Sequence, residues 1–230
     1  MTAMTHVKIC GLKDLQSALV AAQAGAAFLG FNFVPTSKRF VEPQEARAII
    51  QKVRQALGEK APKMVGVFAN QPTLFINSAA DLCELDYVQL SGDEPLAACA
   101  VIQRPAIKAI RVDPSAAPET ELRRVRQLVI VAHAKGILPL LDRYDANAYG
   151  GTGKPFDWDL AKAVAQEHTL LLAGGLTPDN VAQAVALVKP WGVDVASGVE
   201  TDGVKDAEKI VRFIQEAQSR PVGTEEARLH

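Results

Sequence analysis

The sequence predicts an α/β protein built as a single (β/α)8 barrel, and three observations carry that prediction. Short apolar runs alternate with helical patterns from one end of the chain to the other, strand first. Eight such runs can be counted, with about eight helical stretches between and after them. Across about 220 residues, eight βα units leave roughly 27 residues each, close to the ~30 that such a barrel uses. A doubly wound open sheet is the competing arrangement. It usually has fewer strands, and its GxGxxG fingerprint is missing after the first run, which leads into "CGLKD".

The expected strands are "VKIC" (7–10), "AFLGFNF" (27–33), "KMVGVFA" (63–69), "YVQL" (87–90), "AIKAIRV" (106–112), "ILPLLD" (137–142), "TLLLAG" (169–174) and "GVDVAS" (192–197). Most are continuously apolar and rich in Val, Ile, Leu and Phe, as strands buried on both faces of a helix-covered parallel sheet must be. The helix "LKDLQSALVAAQAG" has Gly25 as its stop. "EPQEARAIIQKVRQALG" has Pro43 in its first turn and Gly58 at its end, the usual asymmetry of helix termini. "TPDNVAQAVALV" offers Thr177 as N-cap and Pro178 as first helical residue. "KDAEKIVRFIQEAQ" spaces Ile210, Val211 and Ile214 along one face. Residues 1–217 are expected to form the barrel. Residues 218–230 are expected to be a flexible tail, because "SRPVGTEEARLH" has lost the apolar period.

Composition narrows the function classes. The chain of 230 residues is 48% hydrophobic and 22% charged, ordinary for a globular protein with a sizeable core. Its 25 basic and 26 acidic residues give a formal charge of -1, which supplies no electrostatic case for binding nucleic acid or an anionic membrane. Cys10, Cys83 and Cys99 form no CxxC pair and there is no HxxxH pair, which speaks against a disulfide framework or a zinc site and for a reducing compartment. The N-terminus lacks a basic start followed by an apolar signal core, and no apolar run approaches a membrane span. A cytoplasmic location is the expectation.

In a (β/α)8 barrel the working surface lies at the C-terminal ends of the strands, so the residues closing each apolar run matter most. Gly174-Gly175-Leu176-Thr177 follows the seventh run and Ser197-Gly198-Val199 the eighth. One glycine pair is as readily a tight βα turn. Two such loops on adjacent strands point to a phosphate, because glycines admit close backbone approach and following helix N-termini add positive charge. "GGTGKPFDW" (150–158) looks superficially like a P-loop, but it lacks the upstream glycine and Pro155 follows its Lys. It reads as a pocket-lining loop or, equally, a surface turn. Asp142 ends the sixth run, where a carboxylate is costly unless it lies at a pocket mouth or is hydrogen-bonded; an isolated case is more often a cap or loop residue. Arg39 in "PTSKRF" is either a solvated loop base or a fork for a carboxylate. A free cysteine is usually core filler, and Cys83 and Cys99 sit in helical apolar patterns. Cys10 differs in standing beside Gly11 at a strand's end.

Six segments together resemble the phosphoribosylanthranilate isomerase family: "KICGLKD", "GFNFVPTSKRFV", "VQLSGDE", "LLDRYDANAYGGTGKPFDW", "LLLAGGLTPDNV" and "GVDVASGVETDGVKD". Each is weak alone, but all six occur in order at strand ends, and the likeness runs from Val7 to about Ile214. The resemblance implies a TIM barrel enzyme of tryptophan biosynthesis. Its reaction is the Amadori rearrangement of N-(5-phospho-β-D-ribosyl)anthranilate to 1-(2-carboxyphenylamino)-1-deoxy-D-ribulose 5-phosphate. It uses neither metal nor organic cofactor. By the same resemblance Asp142 is the general acid that opens the furanose ring, and Cys10 is the general base that takes the C2 proton. Arg39 approaches the anthranilate carboxylate, and the backbone around Gly153, Gly175, Ser197 and Gly198 holds the phosphate. The implied partner is this small phosphosugar-anthranilate substrate, and the protein is a monomer or a homodimer.

Three positions depart from the family pattern. Lys38 stands where Ser-Pro-Arg is common, Ser91 where His is usual, and Asp202-Gly203 where Pro-Gly is common. The acid and base also carry a conflict. A free thiol titrates near ~8.5 and a free Asp near ~3.9, the reverse of the protonation the reaction needs. The alternatives are another phosphosugar barrel isomerase or a barrel that only binds a phosphorylated metabolite. The related imidazole-carboxamide isomerases work with paired aspartates and the tryptophan synthase α subunit with a Glu/Asp pair, unlike a first-strand Cys with a sixth-strand Asp.

Overall fold

Each apolar run becomes a strand whose side chains alternate between two dry environments, the barrel interior and the helix layer. The computed structural model describes residues 4–143 and 158–219. Eight parallel strands close in sequence order: β1 (His6–Cys10), β2 (Phe28–Asn32), β3 (Lys63–Phe68), β4 (Tyr87–Leu90), β5 (Ala106–Val112), β6 (Leu138–Arg143), β7 (Leu171–Leu172) and β8 (Gly192–Val195). The ring shuts where β1 pairs with β8, in a register that sets Lys8 opposite Asp194. The expected (β/α)8 barrel is therefore the observed one.

Seven α-helices among the described residues cover the sheet: α1 (Leu15–Gln23), α2 (Pro43–Leu57), α3 (Thr73–Leu82), α4 (Pro118–Ala134), α5 (Trp158–Ala165), α6 (Val181–Val188) and α7 (Ala207–Gln218). Asp14 caps α1 by accepting from the Ser17 backbone N–H at 2.7 Å, and Asp206 caps α7 by accepting from Glu208 and Lys209. Gly25 and Gly58 have positive φ at the ends of α1 and α2, the conformation that stops a helix with least strain.

Four expectations need correction. The βα unit after β4 holds a short 3-10 helix, Leu96–Val101, in place of an α-helix, so Cys99 lies in that 3-10 turn. Strand β7 keeps only two residues of the expected six, because Gly174 and Gly175 turn away with φ of 88° and 75°. Helix α6 starts at Val181, not just after Thr177. The three residues between form a turn, in which the Thr177 carbonyl accepts from Asn180 and Val181. In α7 the buried face is Ile210, Phe213, Ile214 and Ala217, with Val211 only half-buried. That helix runs to Gln218, one residue beyond the expected boundary, and residues 220–230 of the anticipated tail lie outside the described residues.

The core splits in two. The larger apolar cluster lies between sheet and helices and includes Val7, Ile9, Leu29, Phe31, Leu141 and Val193. A smaller cluster of Phe28, Val65, Ile107, Ala109, Leu140, Leu171 and Ala173 comes from the opposite parity of the strands and fills the barrel itself. At the strands' N-terminal ends it continues into aromatic contacts: His6 with Trp191 at 4.2 Å, Phe28 with Tyr87 at 5.6 Å edge to face. This arrangement plugs one end of the barrel. The inward parity then reaches the other end with Cys10, Asn32, Gln89, Arg111, Asp142 and Asp194. No described helix is long and apolar enough to cross a membrane.

Candidate active site

Those inward positions open into one pocket at the C-terminal ends of the strands. Cys10, Arg39, Asp142, Gly175, Ser197 and Gly198 all line it. Six of the seven residues singled out in the sequence therefore meet in one cavity. The seventh, Gly153, lies outside the described residues, as does most of the "GGTGKPFDW" loop.

Cys10 closes β1 and is 7% exposed. Burial pushes its thiol up, while the ammonium groups of Lys8 and Lys205 pull it down. The net direction is upward. Space for the sulfur comes from Gly30, its register partner on β2. A Cβ there would lie 3.0 Å from the Cys10 sulfur and 3.2 Å from Lys8 Nζ, so the two atoms share the same small recess.

Asp142 stands on β6, and its carboxylate accepts from the Arg143 backbone N–H at 2.8 Å. Burial raises its pKa to about 6, against that bond and the charges of Arg111 and Lys8; Asp194 adds to the rise. A carboxyl so placed keeps its proton closer to neutrality than a free one.

Arg39 is buried and already engaged. Its Nε and Nη2 donate to the two oxygens of Glu200 at 2.6 and 2.8 Å, the bidentate pairing that a guanidinium favours. Glu200 also accepts from Lys205 at 2.9 Å, and Lys205 donates to the Ala196 carbonyl at 2.6 Å. Burial pushes Glu200 up, but the bonds from Arg39 and Lys205 outweigh it and hold the carboxylate below its ordinary range. Glu200 and Lys205 belong to a small hairpin, β9 (Glu200–Thr201) with β10 (Val204–Lys205). Asp202 and Gly203 turn it with φ of 51° and 81°. Two positive-φ residues suit a tight two-residue hairpin turn and exclude proline. The departure at Asp202-Gly203 thus has a structural meaning: it fits the turn that holds Glu200 and Lys205 together beside Arg39.

The other two departures are equally local. Lys38 is exposed and lies 4.0 Å from Glu200. Its loop is held by Ser37, whose hydroxyl accepts from the Arg39 N–H at 3.1 Å and from Asn32 Nδ2 at 3.2 Å. Ser91 accepts from Gln89 Nε2 at 3.0 Å, and Gln89 Oε1 is buried without a hydrogen-bond partner among the described residues.

The glycine loops meet as backbone. A Cβ at Gly198 would overlap the Leu176 carbonyl oxygen, so only glycine lets the loop after β8 lie against the loop after β7. Asn180 braces the second loop, accepting from Thr177 N–H at 2.8 Å and donating to the Gly175 carbonyl at 3.0 Å.

Lys8, Gln89, Arg111, Asp194 and Glu200 were not singled out in the sequence, yet all stand in or against this pocket. A signal existed for two of them. Lys8 and Asp194 are charges inside runs otherwise apolar, and a charge buried in a sheet needs a partner. Lys8 lies two residues before Cys10, which puts it on the same face of β1. Cys83 and Cys99 fit the reading as filler. Both are buried away from the pocket, and burial raises both thiols, Cys83 to about 11.

The inventory is a buried carboxyl and a buried thiol on separate strands, a guanidinium, and two glycine loops whose backbones meet at one pocket. Comparison with known proteins shows the family. Residues 7–216 match the family model described as N-(5'phosphoribosyl)anthranilate (PRA) isomerase. The chain is 45% identical over 216 residues to the N-(5'-phosphoribosyl)anthranilate isomerase of Geobacter sulfurreducens, covering 94% of this chain and 99% of that one. Among solved structures, the Thermotoga maritima phosphoribosyl anthranilate isomerase is similar with a TM-score of 0.79 at 36% identity, over 93% of this chain and 98% of that one. A phosphoribosyl anthranilate isomerase in complex with reduced 1-(o-carboxyphenylamino)-1-deoxyribulose 5-phosphate is similar with a TM-score of 0.76 at 34% identity, with the same coverage.

Proposed function

The chain belongs to the N-(5'-phosphoribosyl)anthranilate isomerase family and is an isomerase of tryptophan biosynthesis; within that activity we propose that Asp142 is the general acid and Cys10 the general base. The substrate's phosphate would sit against the backbone of Gly175, Ser197 and Gly198, with Gly153 as a fourth contact by family resemblance. Its anthranilate carboxylate would meet Arg39, two of whose five N–H donors are spent on Glu200. Glu200 then serves to aim the guanidinium, leaving its other edge for the substrate.

With the substrate so anchored at both ends, the ribose lies between β1 and β6. Asp142 protonates the ring oxygen as the C1–O bond breaks, which opens the furanose to a Schiff base. Cys10 removes the C2 proton to give an enolamine, which tautomerises to the aminoketone. No electrons leave the substrate; C1 is reduced and C2 oxidised within it.

The observation that carries this reading is the burial of Asp142 in the same pocket as Cys10, which raises its carboxyl to about 6. It removes half of the conflict between acid and base, because a carboxyl with that pKa still donates a proton near neutrality. The other half stands, since burial raises Cys10 as well. The reactive form is therefore a proton tautomer of the dominant one: at neutral pH one proton is shared between two sites, and the fraction that places it on Asp142 is the fraction that reacts.

The test is turnover of freshly prepared N-(5'-phosphoribosyl)anthranilate, followed by its fluorescence, with the wild type, Cys10→Ala and Asp142→Asn. Turnover by the wild type and loss in both variants is the expected result. Full activity in either variant removes that residue from its role.

A further inference from the structure

We propose that the buried Lys8–Asp194 pair is a positioning device for Cys10: Lys8, fixed by Asp194, holds its ammonium beside the sulfur and stabilises the thiolate form. The proposal rests on the reading of Cys10 as the base, and deepens it.

The geometry carries it. Lys8 is fully buried, at 0% exposure. Its Nζ donates to Asp194 Oδ1 at 2.8 Å across the β1–β8 seam. The same nitrogen and the Cys10 sulfur face one recess at Gly30, where any side chain would displace both. A lysine wholly out of water is expensive, and one carboxylate does not make the site neutral toward a neighbouring thiol. A simple structural staple would be served equally well by two apolar residues. Lys8 and Asp194 instead stand at the one level of the barrel where the apolar filling stops and the pocket begins.

The groups that face Cys10 are Lys8 on β1, Asp194 on β8 and Lys205 on β10; Glu200 and Arg39 stand behind Lys205. Their signs differ in effect. Lys8 and Lys205 favour the thiolate, and Asp194 opposes it. Glu200 is shared between Arg39 and Lys205 and offsets Lys205 only in part; of the two ammonium groups, Lys8 acts more strongly on the thiol. Lys8 is also held charged: burial pulls it down, but Asp194 and the sulfur outweigh that and raise it. Asp194 and Lys8 act in opposite senses on Asp142 too. The pair thus sits electrically between the acid and the base.

The experiment reads Cys10 directly. Alkylation of Cys10 by iodoacetamide is measured against pH, with the labelled peptide quantified by mass spectrometry, beside kcat/KM over the same range. Lys8→Met keeps the length and removes the charge. It is expected to move the alkylation midpoint of Cys10 upward by about one to three pH units, the usual reach of a neighbouring opposite charge. Near pH 7, kcat/KM falls in proportion and recovers as pH rises. Lys8→Arg keeps the charge and restores part of the loss. If Lys8→Met does not fold, Lys8→Met/Asp194→Asn removes both charges without stranding one, and a smaller upward shift is expected. An unchanged midpoint in whichever of these variants folds overturns the proposal, as does a loss of activity that is equal at every pH. Cys10→Ala separates this inference from the one it rests on. Activity retained there ends the base assignment, while the alkylation shift still reports whether Lys8 governs the thiol.

Discussion

The two ends of the barrel interior are made by the same strands and obey opposite rules. At the N-terminal end, His6, Phe28, Tyr87 and Trp191 pack ring against ring over an apolar filling that includes Leu140 and Leu171. At the C-terminal end, two or four residues further along, the inward positions carry Lys8, Cys10, Asp142 and Asp194. The floor gains stability from burying apolar surface. The mouth gives some up, because it buries charges and a carboxyl that would be more comfortable in water. The difference teaches that position along a strand, more than residue type alone, separates packing from chemistry in this fold.

That contrast can be broken from either side. The largest effects are expected in the mouth. Cys10→Ala and Asp142→Asn should each lower kcat by about 10²–10⁴-fold, the range of a lost general acid or base, while thermal unfolding shows both variants folded. Next comes the floor. Phe28→Ala should lose about 3–5 kcal/mol of stability in urea unfolding, with kcat/KM of the remaining folded protein near that of the wild type. A catalytic loss at Phe28 as large as that at Asp142 would erase the distinction.

A smaller effect is expected at Gly198→Ala. The new methyl would overlap the Leu176 carbonyl and push the two glycine loops apart. Misplacement of an anchor by about 1 Å costs up to ~10²-fold, and it should appear mainly in KM and in competition by inorganic phosphate. The smallest effect has the opposite sign. Folded Asp142 holds its proton up to about 6, whereas in the unfolded chain it is released near ~3.9. Its raised pKa therefore costs the native state nothing below the unfolded value. The penalty develops as pH rises between the two, and it is complete above 6. Asp142→Asn, which can still accept from Arg143, should be more stable than the wild type by at most about 3 kcal/mol at pH 7.5. Equilibrium unfolding at pH 4 should show little of that gain.

Much of this was legible in the chain. The apolar runs set all eight strands, because a strand dry on both faces has little freedom in its composition. Strands β4 and β5 match their predicted spans, Tyr87–Leu90 and Ala106–Val112. Where the prediction failed, local preference yielded to geometry. The stretch around Cys99 winds as a 3-10 turn, and β7 ends early because two left-handed glycines leave the sheet. At the site, residues closing a run were visible and residues within a run were not. Cys10 ends β1, and Asp142 is the last residue but one of β6. Lys8 and Asp194 look like exceptions inside apolar segments until the β1–β8 register makes them partners 2.8 Å apart. Glu200 was hidden for another reason: its link to Arg39 spans most of the chain and depends on a hairpin set by Asp202 and Gly203.

The most direct test of the acid–base pair is the pH dependence of kcat/KM for N-(5'-phosphoribosyl)anthranilate, from pH 5 to 10, in the wild type and Asp142→Asn. One proton shared between Asp142 and Cys10 gives a bell. Its rising limb should have a midpoint near 6, where the carboxyl titrates, and its falling limb should lie on the alkaline side of an ordinary thiol. In Asp142→Asn the rising limb near 6 should vanish from the residual activity. A wild-type profile flat through pH 6, or one whose limb there survives in Asp142→Asn, would contradict the assignment.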